Sequence, residues 1–168
     1  MWQWAPMQFD DHAVLYSITE EVDGRRWHEF CVRVRPESEP EPLSVVRHEV
    51  KMRSGTRIFD GGKLVLAESG GKQLEIEMRP LSTMHMSGAG YLNFSSDWRH
   101  GHYHGVPLAV DGETWDLSDP NLRLKAGDHT ETVCEFKMGG KTGHGLIEFY
   151  CLGPYEPYGL KTAFDVAP

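Results

Sequence analysis

The segment Asp97-Trp98-Arg99-His100-Gly101-His102-Tyr103-His104-Gly105 gathers the side chains best suited to chemistry. On an extended strand His100, His102 and His104 share one face, with successive side chains about 7 Å apart. Two neighbours at that spacing can chelate one metal ion through their imidazoles. His100 and His104 lie about 13 Å apart along a strand, so all three do not easily meet at one ion. A catalytic zinc centre would need a third ligand, and His12, His85, Asp97 and Glu113 are the candidates. The ligand set is incomplete, so no metal or other cofactor is assigned. The competing reading is a hydrogen-bonded histidine strand, with Gly101 and Gly105 allowing close backbone approach.

The same residues also allow chemistry without a metal. Asp97, Trp98 and His100 offer a carboxyl group, a π-face and an imidazole within four residues. A carboxylic acid in an apolar pocket is kept partly protonated by desolvation and can act as a general acid. A tryptophan face stabilises a developing cation. Together these parts could protonate an alkene. Asp10, Asp11 and His12 form a second acid–imidazole cluster. For both clusters the alternative is turn capping and surface solvation, since Asp is a common turn residue. There is no Gly-x-Ser-x-Gly, Walker loop, Cys-x-x-Cys or dinucleotide fingerprint.

Strands must position these groups, because the dominant hydrophobic period is two. His12 to Glu20 places Val14, Tyr16 and Ile18 on one face. Trp27 to Arg35 places Phe30, Val32 and Val34 on a dry face, opposite Glu29, Arg33 and Arg35. Ser44 to Arg53 turns Val46, His48, Val50 and Met52 inward. Gln73 to Arg79 does so with Leu74, Ile76 and Met78, and Thr130 to Met138 with Cys134, Phe136 and Met138. Asp23-Gly24, Asp60-Gly61-Gly62, Ser69-Gly70-Gly71, Asp111-Gly112 and Gly139-Gly140 read as turns, because glycine reaches the positive φ that hairpins need. Pro36 to Pro42 reads as an extended, solvated loop. Eight to ten hairpin-linked strands in one domain, residues 1–168, indicate an antiparallel barrel or sandwich. Tyr16, His48, Met52 and Met78 on the inner faces suit an adaptable apolar pocket, or an ordinary packed core.

Composition narrows the partners. The 168 residues carry 17 Lys and Arg against 25 Asp and Glu, a formal net charge of -8. Nucleic acids and anionic membranes recruit clustered cations, so neither is an expected partner. No apolar run approaches the ~18 residues of a membrane span. The start, Met1-Trp2-Gln3-Trp4-Ala5-Pro6, lacks the basic and apolar regions of a signal peptide, so a cytoplasmic location is expected. Cys31, Cys134 and Cys151 match no zinc spacing and read as reduced apolar fillers, a reactive thiol being the less favoured alternative.

Two blocks carry a resemblance. His100-Gly101-His102-Tyr103-His104-Gly105, followed by Leu108 to Asp116 with Gly112-Glu113-Thr114-Trp115-Asp116, resembles a block of AttH-like and carotenoid 1,2-hydratase-like proteins. The opening Trp4 to His12 is similar to the start of their second half, and Gly143 to Tyr150 to their closing strand. The resemblance implies an all-β, antiparallel, lipocalin-like (calycin-type) β-barrel. It corresponds to the second, C-terminal barrel of proteins that usually carry two. Some members hydrate a terminal isoprenoid double bond, and fungal relatives are pericyclases. Without a first barrel, this chain would only bind, or would work as a homodimer or with a partner barrel. The resemblance carries over Asp11, His12 and the block from Trp98 to His104 as pocket candidates.

The expected function is binding of a small hydrophobic molecule, isoprenoid or fatty-acyl-like, in the barrel. Trp98, His102 and His104 would join Tyr16, His48, Met52 and Met78 around it. The enzyme alternative is a cofactor-free hydratase or isomerase. There Asp97 or Asp11 is the acid, His100 or His12 its partner, and Trp98 the cation stabiliser. A third reading is an interaction domain with a filled barrel.

Overall fold

Residues 1–86, 103, 105, 114, 116, 118, 119 and 129–168 are described by the computed structural model. Among them the alternating segments form nine strands. In chain order these are β1 (Trp2–Gln8), β2 (Ala13–Glu20), β3 (Arg26–Val34), β4 (Glu41–Pro42), β5 (Ser44–Met52), β6 (Phe59–Ala67), β7 (Gln73–His85), β8 (Thr130–Met138) and β9 (Lys141–Tyr150). They make one antiparallel sheet of order β4-β3-β2-β1-β9-β8-β7-β6-β5. Strands β4 and β5 are nearly one run. Glu41 and Pro42 pair with β3, Leu43 donates its N–H to Cys31 O at 2.9 Å, and Ser44 onward pairs with β6. The sheet thus curls back on itself into a nearly closed, lipocalin-like barrel, which leaves few open edges.

Side chains complete the seam between β3 and β5. Arg26 Nη1 donates to Val45 O at 2.8 Å, and Val45 N–H donates to Glu29 Oε1 at 2.8 Å. Elsewhere the barrel is drawn tight by glycine. A Cβ at Gly145 of β9 would lie 1.9 Å from Pro6 O, and one at Gly62 of β6 would lie 2.0 Å from Glu49 O. No other residue lets these backbones approach so closely.

Inside the barrel lies one contiguous core. Ala5 and Met7, Val14, Tyr16 and Ile18, Leu64 and Leu66, Ile76 and Met78, Cys134 and Phe136, and Ile147 and Phe149 all point inward and are buried. Fully burying a side chain of this size contributes about 1.5–3 kcal/mol. Three stretches depart from the simple alternation. In β3 the buried residues are Cys31 and Arg33, while Phe30 is 50% exposed, so the expected dry face of Phe30, Val32 and Val34 is the outer one. Arg33 tolerates burial because Glu41 and Glu68 receive its guanidinium at 2.7 to 3.0 Å. In β5 the register shifts between Val45 and Arg47. Such a bulge re-aims side chains, so Val45 is buried and Val46 is exposed. Asp60-Gly61-Gly62 is no turn: it lies within β6.

The two ends of the barrel differ. At one end are the turn after β1, the loop from 35 to 40 and the turn between β8 and β9. At the other end the C-terminal segment folds over the barrel mouth. Tyr155 leads into a 3-10 turn at Glu156–Tyr158 that ends at Gly159 with φ 72°. Glu156 N–H donates to Val22 O at 2.8 Å, and Ala167 pairs with the loop at Gly55 and Thr56. Arg57, 1% exposed, gathers this segment. It donates to the carbonyls of Cys151, Gly153, Thr162 and Asp165 at 2.6 to 2.8 Å. No helix among the described residues is long and apolar enough to cross a membrane.

Candidate functional site

Apart from Arg33 with Glu41 and Glu68 toward the opposite end, a connected set of inner-wall polar groups lies at the C-terminal mouth. Alternation along β2 carries Glu20 onto the same face as Val14, Tyr16 and Ile18. Its carboxylate accepts from Tyr155 OH, from Arg26 Nε at 3.0 Å and from His48 Nε2 at 3.0 Å. On the other side of that ring, His48 Nδ1 lies 3.1 Å from Gln3 Nε2 and 2.8 Å from Tyr158 OH. The pattern assigns the Nε2–H tautomer, with Nδ1 accepting. Gln3 Oε1 in turn accepts from Tyr16 OH at 3.0 Å.

Burial alone pushes the Glu20 carboxyl up. The hydrogen bonds from His48, Tyr155 and Arg26 outweigh it and hold the group at about 2. Burial also raises the Tyr16, Tyr155 and Tyr158 phenols above their ordinary range, so all three stay protonated donors.

Beside this network the wall bears two polar atoms without partners. Register sets His85 of β7 opposite Thr130 of β8, Thr130 opposite Phe149 of β9, and Phe149 opposite Gln3 of β1. His85 Nδ1 and Thr130 Oγ1 are both buried and unbonded. One layer further in, Thr83 and Thr132 share a hydroxyl contact of 3.2 Å.

Asp11 and His12 do meet, at the far end of the barrel. Asp11 Oδ1 accepts from His12 Nδ1 at 2.8 Å, and Lys141 binds the other oxygen. The imidazole stacks on Phe9, ring centroids 4.7 Å apart, and its Nε2 is buried and unpartnered. Hydrogen bonds from Lys141 and His12 hold the Asp11 carboxyl at about 2. It is a carboxylate near neutral pH. That suits orienting an imidazole and does not suit donating a proton.

Of the other expected pocket residues, Tyr16 and His48 join the mouth network, Met78 is in the core, and Met52 packs against it. Asp97, Trp98, His100, His102 and His104 lie outside the described residues, as does Glu113. No group of three or more His, Cys, Asp or Glu among the described residues could hold a metal ion. All three cysteines are buried and unbridged. Burial pushes the Cys31 and Cys134 thiols up to about 12, which removes them as nucleophiles.

Sequence reasoning missed Gln3, Glu20, Arg57, Thr130, Tyr155 and Tyr158. Two of them carried a readable signal. Glu20 and Thr130 both continue the inward alternation of an apolar face.

A groove of about 470 Å³ runs along the outside of the wall. It opens where Gly61 and Gly62 leave β6 without side chains, between Asp60, Lys63, Arg79 and Lys137. Its charged rim differs from the apolar pocket expected inside. On another outer face, Trp27 is 62% exposed beside His28, which stacks on Trp2.

No curated protein and no solved structure matches the chain. A family model does match it over residues 1–161, and the chain accordingly belongs to DUF8625, a family of unknown function.

Proposed function

We propose that the barrel interior binds a small, predominantly hydrophobic molecule, isoprenoid or fatty-acyl-like, one per barrel. The observation that supports this best is the division of the inner wall. Met7, Val14, Leu64, Leu66, Ile76, Phe136 and Met138 make most of it apolar, while Gln3, Tyr16, Glu20, His48 and Thr130 gather at one end. Such a wall suits an apolar body with one polar end. The inward methionines, with flexible thioethers, can rearrange to admit it. The AttH-like resemblance of the opening and closing strands points the same way.

The test is native mass spectrometry of protein purified from its own host, followed by extraction of bound molecules. A one-to-one adduct with an apolar molecule is expected. Met78→Trp, which fills the interior, should lower its occupancy at least about tenfold. A bare chain mass, with no uptake of an apolar dye on titration, rules the reading out.

A second reading rests on the unpartnered His12 Nε2. Oriented by Asp11, that atom is placed to move a proton, as in adding water across an isoprenoid double bond. One carbon gains the proton and its neighbour the hydroxyl. Incubation of the extracted ligand in ¹⁸O-labelled water should then label it with wild-type protein and not with His12→Ala. Equal labelling by both excludes His12.

A further inference from the structure

The geometry points to a neutral oxygen, a hydroxyl or carbonyl, as the polar end of the molecule bound in the barrel, received by His85 Nδ1 and Thr130 Oγ1. This rests on the interior-binding reading and narrows it. The two atoms are buried, unpartnered and directly opposite each other on β7 and β8. Cross-strand partners on one face have Cβ atoms about 5 Å apart, so one oxygen can reach both. A threonine hydroxyl donates or accepts, and so does an imidazole nitrogen, according to tautomer. The pair therefore offers one donor and one acceptor, the complement of a hydroxyl; a carbonyl would accept from both.

A carboxylate fits poorly here. A buried anion needs a cation or several donors. The buried or half-buried arginines among the described residues are already engaged. Arg57 holds four backbone carbonyls, Arg26 holds Glu20, Glu29 and Val45 O, and Arg33 holds Glu41 and Glu68. The imidazole of His48 faces Glu20. The Glu20 carboxylate already takes Arg26 as its counter-ion at this end, so a second anion would compete for the same cation.

The experiment is displacement of an apolar fluorescent dye from the whole protein by decanol, decanoate and decane at pH 7. Decanol should bind at least about tenfold tighter than decanoate and more tightly than decane, as two neutral hydrogen bonds would give. In the double variant His85→Leu, Thr130→Val the advantage of decanol over decane should fall below about threefold. A thermal melt checks that this variant folds, and the ranking on wild-type protein stands if it does not. Decanoate binding as tightly as decanol overturns the inference and leaves interior binding intact. Decanol losing to decane overturns it likewise. Failure of all three to displace the dye, or of the dye to bind, overturns interior binding and this inference with it.

Discussion

Glu20 carries a negative charge into the barrel end beneath Tyr155; Tyr155, Arg26 and His48 converge on it, and Gln3 and Tyr158 on His48. Its folded pKa, about 2, lies below its ordinary 4.5. The unfolded chain therefore binds the extra proton first as pH falls, and stability rises with pH across that window. The contribution is fully present above about pH 5 and is lost as the pH falls toward 2. The shift corresponds to about 3 kcal/mol. Glu20→Gln should accordingly cost most near neutral pH, and its urea midpoint should approach the wild-type value near pH 2. A deficit independent of pH would mean that the charge contributes nothing. The position was legible in part, since Glu20 extends the face of Val14, Tyr16 and Ile18. Its partners were not. Tyr155 lies 135 residues away and Arg26 sits beyond a register shift, and no local period reports such contacts. The Asp11–His12 pairing was readable because adjacent residues in a turn are already close.

The C-terminal segment shows what one buried cation does for an irregular element. Residues 151 to 168 form almost no regular structure, so their carbonyls need other donors. Arg57 supplies four. Its planar fork can reach several carbonyls at once, and a lysine ammonium on a single tip cannot. Arg57→Ala should destabilise the protein by at least about 3 kcal/mol, and Arg57→Lys should rescue less than half of that. Hydrogen exchange should locate the loss, with amides of the C-terminal segment exchanging before those of β8 and β9. Uniform faster exchange would show that Arg57 supports the whole barrel instead. At this scale the sequence was readable for strands and poor for their interruptions. Alternation located β2, β3, β5, the start of β7 and β8 within a residue or two. It misjudged Gly61-Gly62, because glycine marks a tight turn and a close strand crossing alike. It misjudged Val46, because a bulge inverts every side chain beyond it. It also read Phe30 as dry, because a period of two names a face without saying which side of the sheet is the core.

For the molecule as a whole the critical line is the seam where the first part of the sheet meets the last. Among the described residues, backbone pairing carries the closure only over Glu41, Pro42 and Leu43. Farther along, Arg26 and Glu29 take over, each satisfying one backbone group of Val45 and bonded to each other at 2.6 Å. A barrel closed in this way needs no exact backbone register across the seam, which accommodates the bulge after Val45. It also leaves a place where the wall can part, and a ligand entering there would pass between β3 and β5 without disturbing the long β6 to β9 pairings. Glu29→Ala removes the acceptor of the Val45 amide and one partner of Arg26. It should cost about 1–3 kcal/mol, the penalty of stranding a half-buried polar group. The Val45 amide should lose most of its protection while the amides of β8 and β9 keep theirs. The same variant should speed ligand entry and exit together, with affinity nearly unchanged, if the seam is the door. If Val45 keeps its protection, backbone contacts alone hold the seam. If exchange at the seam rises while ligand kinetics stay fixed, entry lies at the C-terminal mouth, and Arg57→Ala is then the variant that should accelerate it.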